Sequence, residues 1–182
     1  MRAEGTFVVP SPSTSAGRAS RAVDDVERRV VEVLDGLGVP YELWPIDPDY
    51  ADTGPFCEKY GVPLEHSANT IIVASKKEPR QYAACVVKAT RRLDVNHVVR
   101  RLMGVARLSF ASADETKALT GMMIGGVTVF ALPDGLPIYV DDTLMDLPWL
   151  ILGGGSRSSK IRTSPEVLRR LPGAQIVAGL TT

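Results

Sequence analysis

The spacing of apolar residues along the chain predicts short helices interspersed among more numerous strands. Apolar residues recur at intervals of three and four from Val23 to Leu37, which predicts a helix that ends before Pro40. Two β-rich runs, NTIIVASK and QYAACVVKA, flank a charged turn that contains Pro79. This pattern predicts a β-hairpin.

The remaining segments follow the same two patterns. Helices are predicted for DTGPFCEKY, DVNHVVRRLMG, SADETKALTG and SPEVLRRL. Strands are predicted for YELWPI, ARLSFA, VTVFAL, PIYVDDTLM, PWLILGGG and QIVAGL. Because the helices do not alternate strictly with the strands, the chain favours an α+β domain around a mixed or antiparallel sheet, with a distorted barrel as one form, over a doubly wound parallel sheet.

Composition sets the limits of this domain. Residues 1–20 are rich in Ser, Pro, Gly and Ala without any period, which predicts a flexible tail and leaves residues 21–182 as one domain. The chain is 45% apolar and 23% charged, as is typical of a soluble globular protein. It has no apolar run near the roughly 20 residues that span a bilayer, and no signal-like N-terminus. We therefore expect a cytoplasmic protein without a membrane partner.

The residues that most often bind metals or act as nucleophiles show no recognisable spacing. Cys57 and Cys85 fit no metal or redox motif, and His66 and His97 have no partner at ligand spacing. We expect both cysteines to be buried structural residues, and we expect no metal and no cofactor. The chain also lacks a Gly-x-Ser-x-Gly elbow, so nothing indicates a serine nucleophile.

Charge is balanced overall but is distributed in blocks. The formal net charge is zero, which argues against a protein that grips nucleic acid over a broad surface. Residues 76–107 nevertheless contain nine Lys or Arg against Glu78 and Asp94, and a second basic block runs from Arg157 to Arg170. Solvated helix faces explain either block taken alone. If the fold joins them, the two blocks form a phosphate-binding patch.

Two glycine-rich stretches stand inside apolar sequence. In LTGMMIGGVTVFALP, the adjacent Gly125 and Gly126 would weaken either a helix or a strand. The chain therefore either turns sharply there or lets another group approach its backbone closely. In LGGGSRSSK, residues 153–155 precede basic residues without Walker spacing. That loop could offer backbone N–H groups to an anion or a carbonyl, or it could be a plain turn.

Taken in order, these motifs resemble the YbaK-like aminoacyl-tRNA deacylases, which are related to the editing domain inserted in bacterial prolyl-tRNA synthetases. The resemblance covers approximately residues 26–180. Its most specific elements are Leu93-Asp94, Thr120-Gly121, Gly125 to Thr128, Asp141 and Gly153-Gly154.

The resemblance implies a fold, an activity and a set of site residues. The implied fold is α+β around a mixed, barrel-like sheet. The implied activity is removal of a wrongly attached amino acid from the 3′ end of tRNA, with the aminoacyl-tRNA 3′ end as partner and an aminoacyl-tRNA synthetase as a further expected partner. The implied catalytic residues are Asn69, Gly125, Gly126 and Asp141. The implied substrate-binding residues are Lys88, Thr128, Phe130, Gly153, Gly154 and Ser156.

The sequence departs from the family pattern near this site. Asn69 stands where family members typically carry a lysine, Val129 replaces a proline, and Ala131 replaces a glycine. An amide can hydrogen-bond an ester or a ribose hydroxyl but supplies no cation. Lys88 would restore the charge if its side chain pointed into the pocket, and the alternative is a solvated lysine at a strand end.

Two functions follow from these residues. In the first, water attacks the ester, backbone N–H groups stabilise the oxyanion, and a ribose hydroxyl of the substrate takes part in proton transfer. In the second, a weakly active or inactive relative binds the aminoacylated CCA end or a small aminoacyl-like ligand. Asn69 is the residue that separates the two hypotheses.

Overall fold

The computed structural model describes residues 19–182, with side chains described from Asp25 onward. Of the predicted tail, residues 1–18 lie outside this range. Ala19 and Ser20 already belong to the first helix.

Within residues 19–182, eight strands form two sheets. The strands are β1 (Tyr41–Pro45), β2 (Ala68–Ser75), β3 (Tyr82–Lys88), β4 (Leu108–Phe110), β5 (Ile138–Asp141), β6 (Leu150–Gly153), β7 (Ser159–Thr163) and β8 (Ala174–Val177). The larger sheet has the order β4-β2-β3-β5-β8 and the smaller one the order β1-β7-β6. In the larger sheet β2 is antiparallel to β3 and β4, whereas β5 is parallel to β3 and β8. A parallel bridge between Ser67 and Ile151 links the two sheets. The mixed, barrel-like α+β architecture predicted from the sequence is confirmed.

Five α-helices of the described part of the chain surround these sheets. They are α1 (Ala19–Leu37), α2 (Thr53–Tyr60), α3 (Arg100–Met103), α4 (Ala113–Thr120) and α5 (Glu166–Arg170). A π-helical turn, Val95–Val99, runs directly into α3. Helix α4 has the predicted ends, because Ser112 and Glu115 form a capping box and Gly121 takes a left-handed conformation after the last turn. No helix in the described part of the chain is long and apolar enough to cross a membrane.

The sequence prediction fails for two segments, one predicted strand that does not form and one strand that was not predicted. The run VTVFAL is a loop rather than a strand, because Ala131 adopts a left-handed φ of 58° that a strand cannot contain. Its residues Val127, Val129 and Phe130 are still buried, which explains the strand-like pattern. Strand β7 was not predicted, because its polar residues Ser159, Lys160 and Thr163 are typical of an exposed segment. All three are nevertheless buried.

From Asp25 onward, where side chains are described, the buried ones form three apolar clusters. The largest lies between α1, α5, the 127–130 loop and one face of the larger sheet. A second cluster packs the Val95–Met103 helical segment against the opposite face. The third cluster joins α2 to β6 and includes Cys57. Both cysteines are buried and free, as expected.

Candidate active site

A cavity of about 360 Å³ opens along the edge of β2. Residues 68–72 of β2 form one wall, and Asp52 and Thr53 at the start of α2 form another. Gly125 and Gly153 close the cavity on the side of the two glycine-rich loops. The cavity therefore lies at the seam where the smaller sheet meets the larger one.

The backbone of β2 faces this cavity because of its register. The N–H of Ala89 donates to the carbonyl of Ser67, and the N–H of Ser75 donates to the carbonyl of Gln81. The odd-numbered residues of β2 therefore point their backbone groups at β3. The backbone N–H and C=O of Thr70 consequently point away from β3. Strand β4 pairs only with residues 73–75, so this part of the β2 edge faces the cavity. The Thr70 hydroxyl is also buried and has no hydrogen-bond partner among the described residues.

The two glycine-rich loops pack backbone against backbone. A Cβ on Gly126 would lie 2.3 Å from the carbonyl carbon of Ser156, and a Cβ on Gly153 would lie 2.3 Å from the carbonyl oxygen of Val127. The N–H of Gly155 donates to the carbonyl of Gly126 at 2.9 Å. Glycine is therefore required here so that the two loops can approach each other, which is one of the two explanations that the sequence left open.

Arg157 clamps the loop before Gly125 to the start of α2. Its guanidinium donates to the carbonyl of Ile124 at 2.7 Å, to Asp52 Oδ1 at 3.0 Å and to the carbonyl of Pro48 at 3.0 Å. Gly125 has a φ of 90°, and a Cβ there would lie 2.3 Å from Arg157 Nη1. The left-handed conformation therefore favours glycine at this position, and the bound guanidinium would have to move to admit a Cβ.

A second cation lies beneath the same loop. Lys160 is only 6% exposed, and its Nζ donates to the carbonyl of Gly125 at 2.9 Å. Burial lowers the pKa of Lys160 to about 8, while the Asp52 carboxylate partly opposes this shift. Arg157 and Lys160 thus hold two successive carbonyl groups of the loop. Among the described residues, no atom accepts a hydrogen bond from the N–H of Gly125.

Asn69 lines the cavity and is held by α2. The hydroxyl of Thr53 donates to Asn69 Oδ1 at 2.7 Å. With the amide oxygen engaged, the Nδ2 group remains as a hydrogen-bond donor, and it has no partner among the described residues. Asn69 therefore offers a neutral donor where the resemblance predicts a cation.

The structure brings together some of the predicted site residues. Asn69, Gly125 and Gly153 line the cavity. Gly126, Gly154 and Ser156 are buried behind this wall, where Gly154 donates to the carbonyl of Ser159. Ser156 hydrogen-bonds Glu27 of α1. These last three residues shape the loops and do not line the cavity.

The other predicted residues lie away from the cavity wall. Phe130 is fully buried in the main core, and Thr128 is buried with its N–H directed to the sulfur of Met122. Lys88 is half-buried at the end of β3 opposite Ala68 and does not line the cavity.

Asp141 is also distant from the cavity wall. It lies on β5, two strands from β2, or about 10 Å across the sheet. Its buried Oδ2 accepts hydrogen bonds from Thr143 and Thr181. These contacts fasten β5 to the C-terminal segment.

Sequence reasoning missed four residues that build the site. Asp52 and Thr53 precede an ordinary short helix, and Arg157 and Lys160 appear in a basic segment that reads as solvated. The sequence contained a partial indication of strand β7, because the polar Lys160 is followed by the apolar Ile161. The partners of all four residues come from distant parts of the chain, so no local pattern reveals them.

Comparison with known proteins agrees with this geometry. Residues 47–171 match the family model of the aminoacyl-tRNA editing domain. The crystal structure of a candidate trans-editing enzyme for prolyl tRNA synthetase is 25% identical, with a TM-score of 0.71 over 84% of this chain and 95% of that one. A crystal structure known as hypothetical protein APE2540 is 26% identical, with a TM-score of 0.75 over 85% of this chain and 99% of that one. The matched region contains the cavity, both glycine-rich loops and their two cations, and the chain belongs to the aminoacyl-tRNA editing domain family.

Proposed function

We propose that this chain is a freestanding aminoacyl-tRNA deacylase, which hydrolyses the ester of mischarged aminoacyl-tRNA with a water molecule positioned by the backbone. The observation that carries this proposal is the N–H of Gly125, a residue of the cavity wall whose N–H has no acceptor among the described residues. Membership of the editing-domain family supports the same class of reaction.

The loop geometry explains why the Gly125 N–H suits an oxyanion. In a trans peptide the C=O and N–H point in opposite directions. Because Arg157 binds the carbonyl of Ile124, the N–H of the same peptide group points away from the arginine. A fixed donor of this kind contributes about 3 kcal/mol to stabilising an oxyanion. Lys160 adds a further positive charge below the loop.

The reaction then needs no protein nucleophile. The oxygen of water attacks the ester carbonyl carbon, and the developing oxyanion accepts a hydrogen bond from Gly125. The bond between that carbon and the ribose oxygen breaks, and a water proton is passed to the ribose oxygen through the neighbouring ribose hydroxyl. Asp52, a carboxylate on the cavity wall, is held by Arg157, which leaves proton transfer to the substrate.

Asn69 and the apolar lining position the substrate. The Nδ2 group of Asn69 donates to the ester or to a ribose hydroxyl. It takes the place of the lysine that the family resemblance predicts at this position. Ile72, Ile124 and Val127 provide an apolar wall, which suits a small or medium amino-acid side chain.

A deacylation assay tests this function. Labelled aminoacyl-tRNAs, both correctly charged and mischarged, are incubated with the unmodified chain, with Asn69→Lys and with Gln175→Lys. Gln175 is an exposed amide on β8, so its substitution is a matched control for the added charge. We expect the unmodified chain and the control to release the amino acid from at least one mischarged species. Release only by Asn69→Lys would instead indicate that the natural chain binds the aminoacylated end without hydrolysing it.

A further inference from the structure

A second concave surface adjoins the candidate active site. Arg91, Arg92 and His97 line it, and it shares Ile71 and Phe110 with the cavity. Phe110 is 58% exposed, which is unusual for a large aromatic residue. An exposed aromatic ring therefore stands on the rim between an apolar cavity and a basic groove.

The basic groove continues away from the cavity. Asn96 and Arg100 line a neighbouring depression together with Lys76 and Arg107, and His97 and Arg100 line another with Arg101. Because these depressions share residues, they form one continuous surface. We call it the arginine surface and define it by six exposed cations: Lys76, Arg91, Arg92, Arg100, Arg101 and Arg107.

No described carboxylate forms a salt bridge with the cations of the arginine surface. Within the described part of the chain, none of the six cations forms a salt bridge with a carboxylate, whereas Arg157, Arg162 and Arg169 all do. Asp94 lies in the groove, but its carboxylate accepts hydrogen bonds from the N–H and the ring of His97. Arg91 and Arg100 donate only to neutral acceptors, the Thr181 hydroxyl and the Ala106 carbonyl. A ligand with several negative charges would therefore pair with cations that lack a carboxylate partner among the described residues.

The α2 side of the cavity carries acidic residues, of which Asp52 lines the cavity. Asp47, Asp49 and Asp52 are exposed around the start of α2. Two of them have salt-bridge partners, Lys59 and Arg157. These pairs neutralise most of the acidic charge on this side. The cations of the arginine surface, which have no described carboxylate partner, would therefore attract a polyanion to the Phe110 side of the cavity.

We propose that the arginine surface binds the 3′ single-stranded end and acceptor stem of the RNA substrate, with the terminal base stacked on Phe110. The inference rests on the proposed function, which places the aminoacyl ester in the adjoining cavity. Stacking on an exposed aromatic ring beside a basic groove is the common way for proteins to bind single-stranded nucleic acid. The phosphates upstream of the terminal base lie on Arg91 and Arg92 and continue towards Arg100 and Arg107.

The first test measures binding of an uncharged acceptor minihelix with a CCA end by fluorescence anisotropy at several salt concentrations. Arg92→Gln/Arg107→Gln is compared with Arg28→Gln/Arg169→Gln. The control pair removes the same charge from exposed arginines that bind only acidic neighbours on their own helices. We expect the first pair to lower the slope of log affinity against log salt by about 1 per arginine, and the control to leave it unchanged. Equal slopes for the two double variants overturn the proposal.

The second test examines Phe110. We expect Phe110→Ala to weaken binding of the CCA-ended minihelix roughly 5- to 150-fold, and Phe110→Trp to preserve it. A blunt minihelix without the CCA end should not distinguish the variants. Equal weakening of the blunt probe would overturn the stacking assignment.

Hydrolysis of a small aminoacyl-adenosine by the unmodified chain separates the two proposals. If the small ester is hydrolysed but Arg92→Gln/Arg107→Gln does not change the salt dependence of minihelix binding, the RNA-binding role of the arginine surface is refuted and the deacylase proposal stands. If the minihelix binds as predicted but neither the small ester nor any aminoacyl-tRNA is hydrolysed, the arginine surface stands and the deacylase proposal is refuted.

Discussion

The contact between the two glycine-rich loops predicts a large effect of a single methyl group at Gly126. In Gly126→Ala, the added Cβ would lie 2.3 Å from the carbonyl carbon and 2.4 Å from the carbonyl oxygen of Ser156. Ordinary contact begins at 3.4 Å, so the loops must separate by about 1.1 Å. Both obstructing atoms belong to the backbone, and they cannot rotate away as a side chain could.

The expected cost follows from this separation. Overfilling a packed site costs about 1–3 kcal/mol. Moving the loops apart also stretches the hydrogen bond from Gly155 to Gly126, which is 2.9 Å long and contributes about 1 kcal/mol. We therefore expect the free energy of unfolding to fall by about 2–4 kcal/mol. In a domain of this size each kcal/mol lowers Tm by about 2–4 °C.

Urea and thermal unfolding, followed by circular dichroism, measure this loss. Gly36→Ala is the matched control, because its Cβ would have no atom within 4 Å and would lie in helix α1. Alanine is the better helix former by up to about 1 kcal/mol, so this variant should be as stable as the unmodified chain or more stable. If Gly126→Ala unfolds at the same urea concentration as Gly36→Ala, the two loops are not in contact and the description of the cavity wall is wrong.

Three further outcomes are expected. Arg157→Lys keeps the charge but loses the planar guanidinium that joins three groups. The value of kcat/KM for deacylation should therefore fall by up to about 100-fold. An unchanged value would exclude Arg157 as a residue that positions the loop. Because the folded pKa of Lys160 is about 8 against an ordinary 10.5, the unfolded state binds more protons between these values. The free energy of unfolding of the natural chain, relative to that of Lys160→Met, should therefore rise with pH across that window by up to about 3 kcal/mol. If urea unfolding gives the same difference between the two chains at every pH from 7 to 10.5, the burial of the charge is contradicted. Ala131→Gly should raise the free energy of unfolding by about 1 kcal/mol, because the left-handed φ of 58° strains alanine, and a loss of stability would count against that conformation.

Local pattern was sufficient for much of the fold. The hairpin of β2 and β3 and the capped helix α4 were predicted because their signals, alternation and a capping box, are contained within a few neighbouring residues. The prediction of a strand for VTVFAL was wrong because a buried loop needs apolar residues just as a strand does. Strand β7 was missed because its polar residues find buried partners, such as the carbonyl of Gly125 for Lys160, that the sequence does not show.

The candidate site divides in the same way. The resemblance identified Asn69, Gly125 and Gly153, which all line the cavity. It also named Phe130, which the structure places in the main core, and Asp141, whose contacts are with two threonines. A sequence motif marks a segment of the chain, and it does not distinguish the residue that faces a ligand from the residue that supports it.

By itself, the sequence determined the α+β class, the ends of most helices, the hairpin and the two glycine-rich loops. Each of these depends on interactions between residues close together along the chain. Only the tertiary structure decided that the loops touch, that Arg157 and Lys160 hold the carbonyl groups around Gly125, and that the arginine surface begins at the rim of the cavity. Those features join residues about 30 to 100 positions apart, and such pairings arise only when packing of the two sheets brings the segments together.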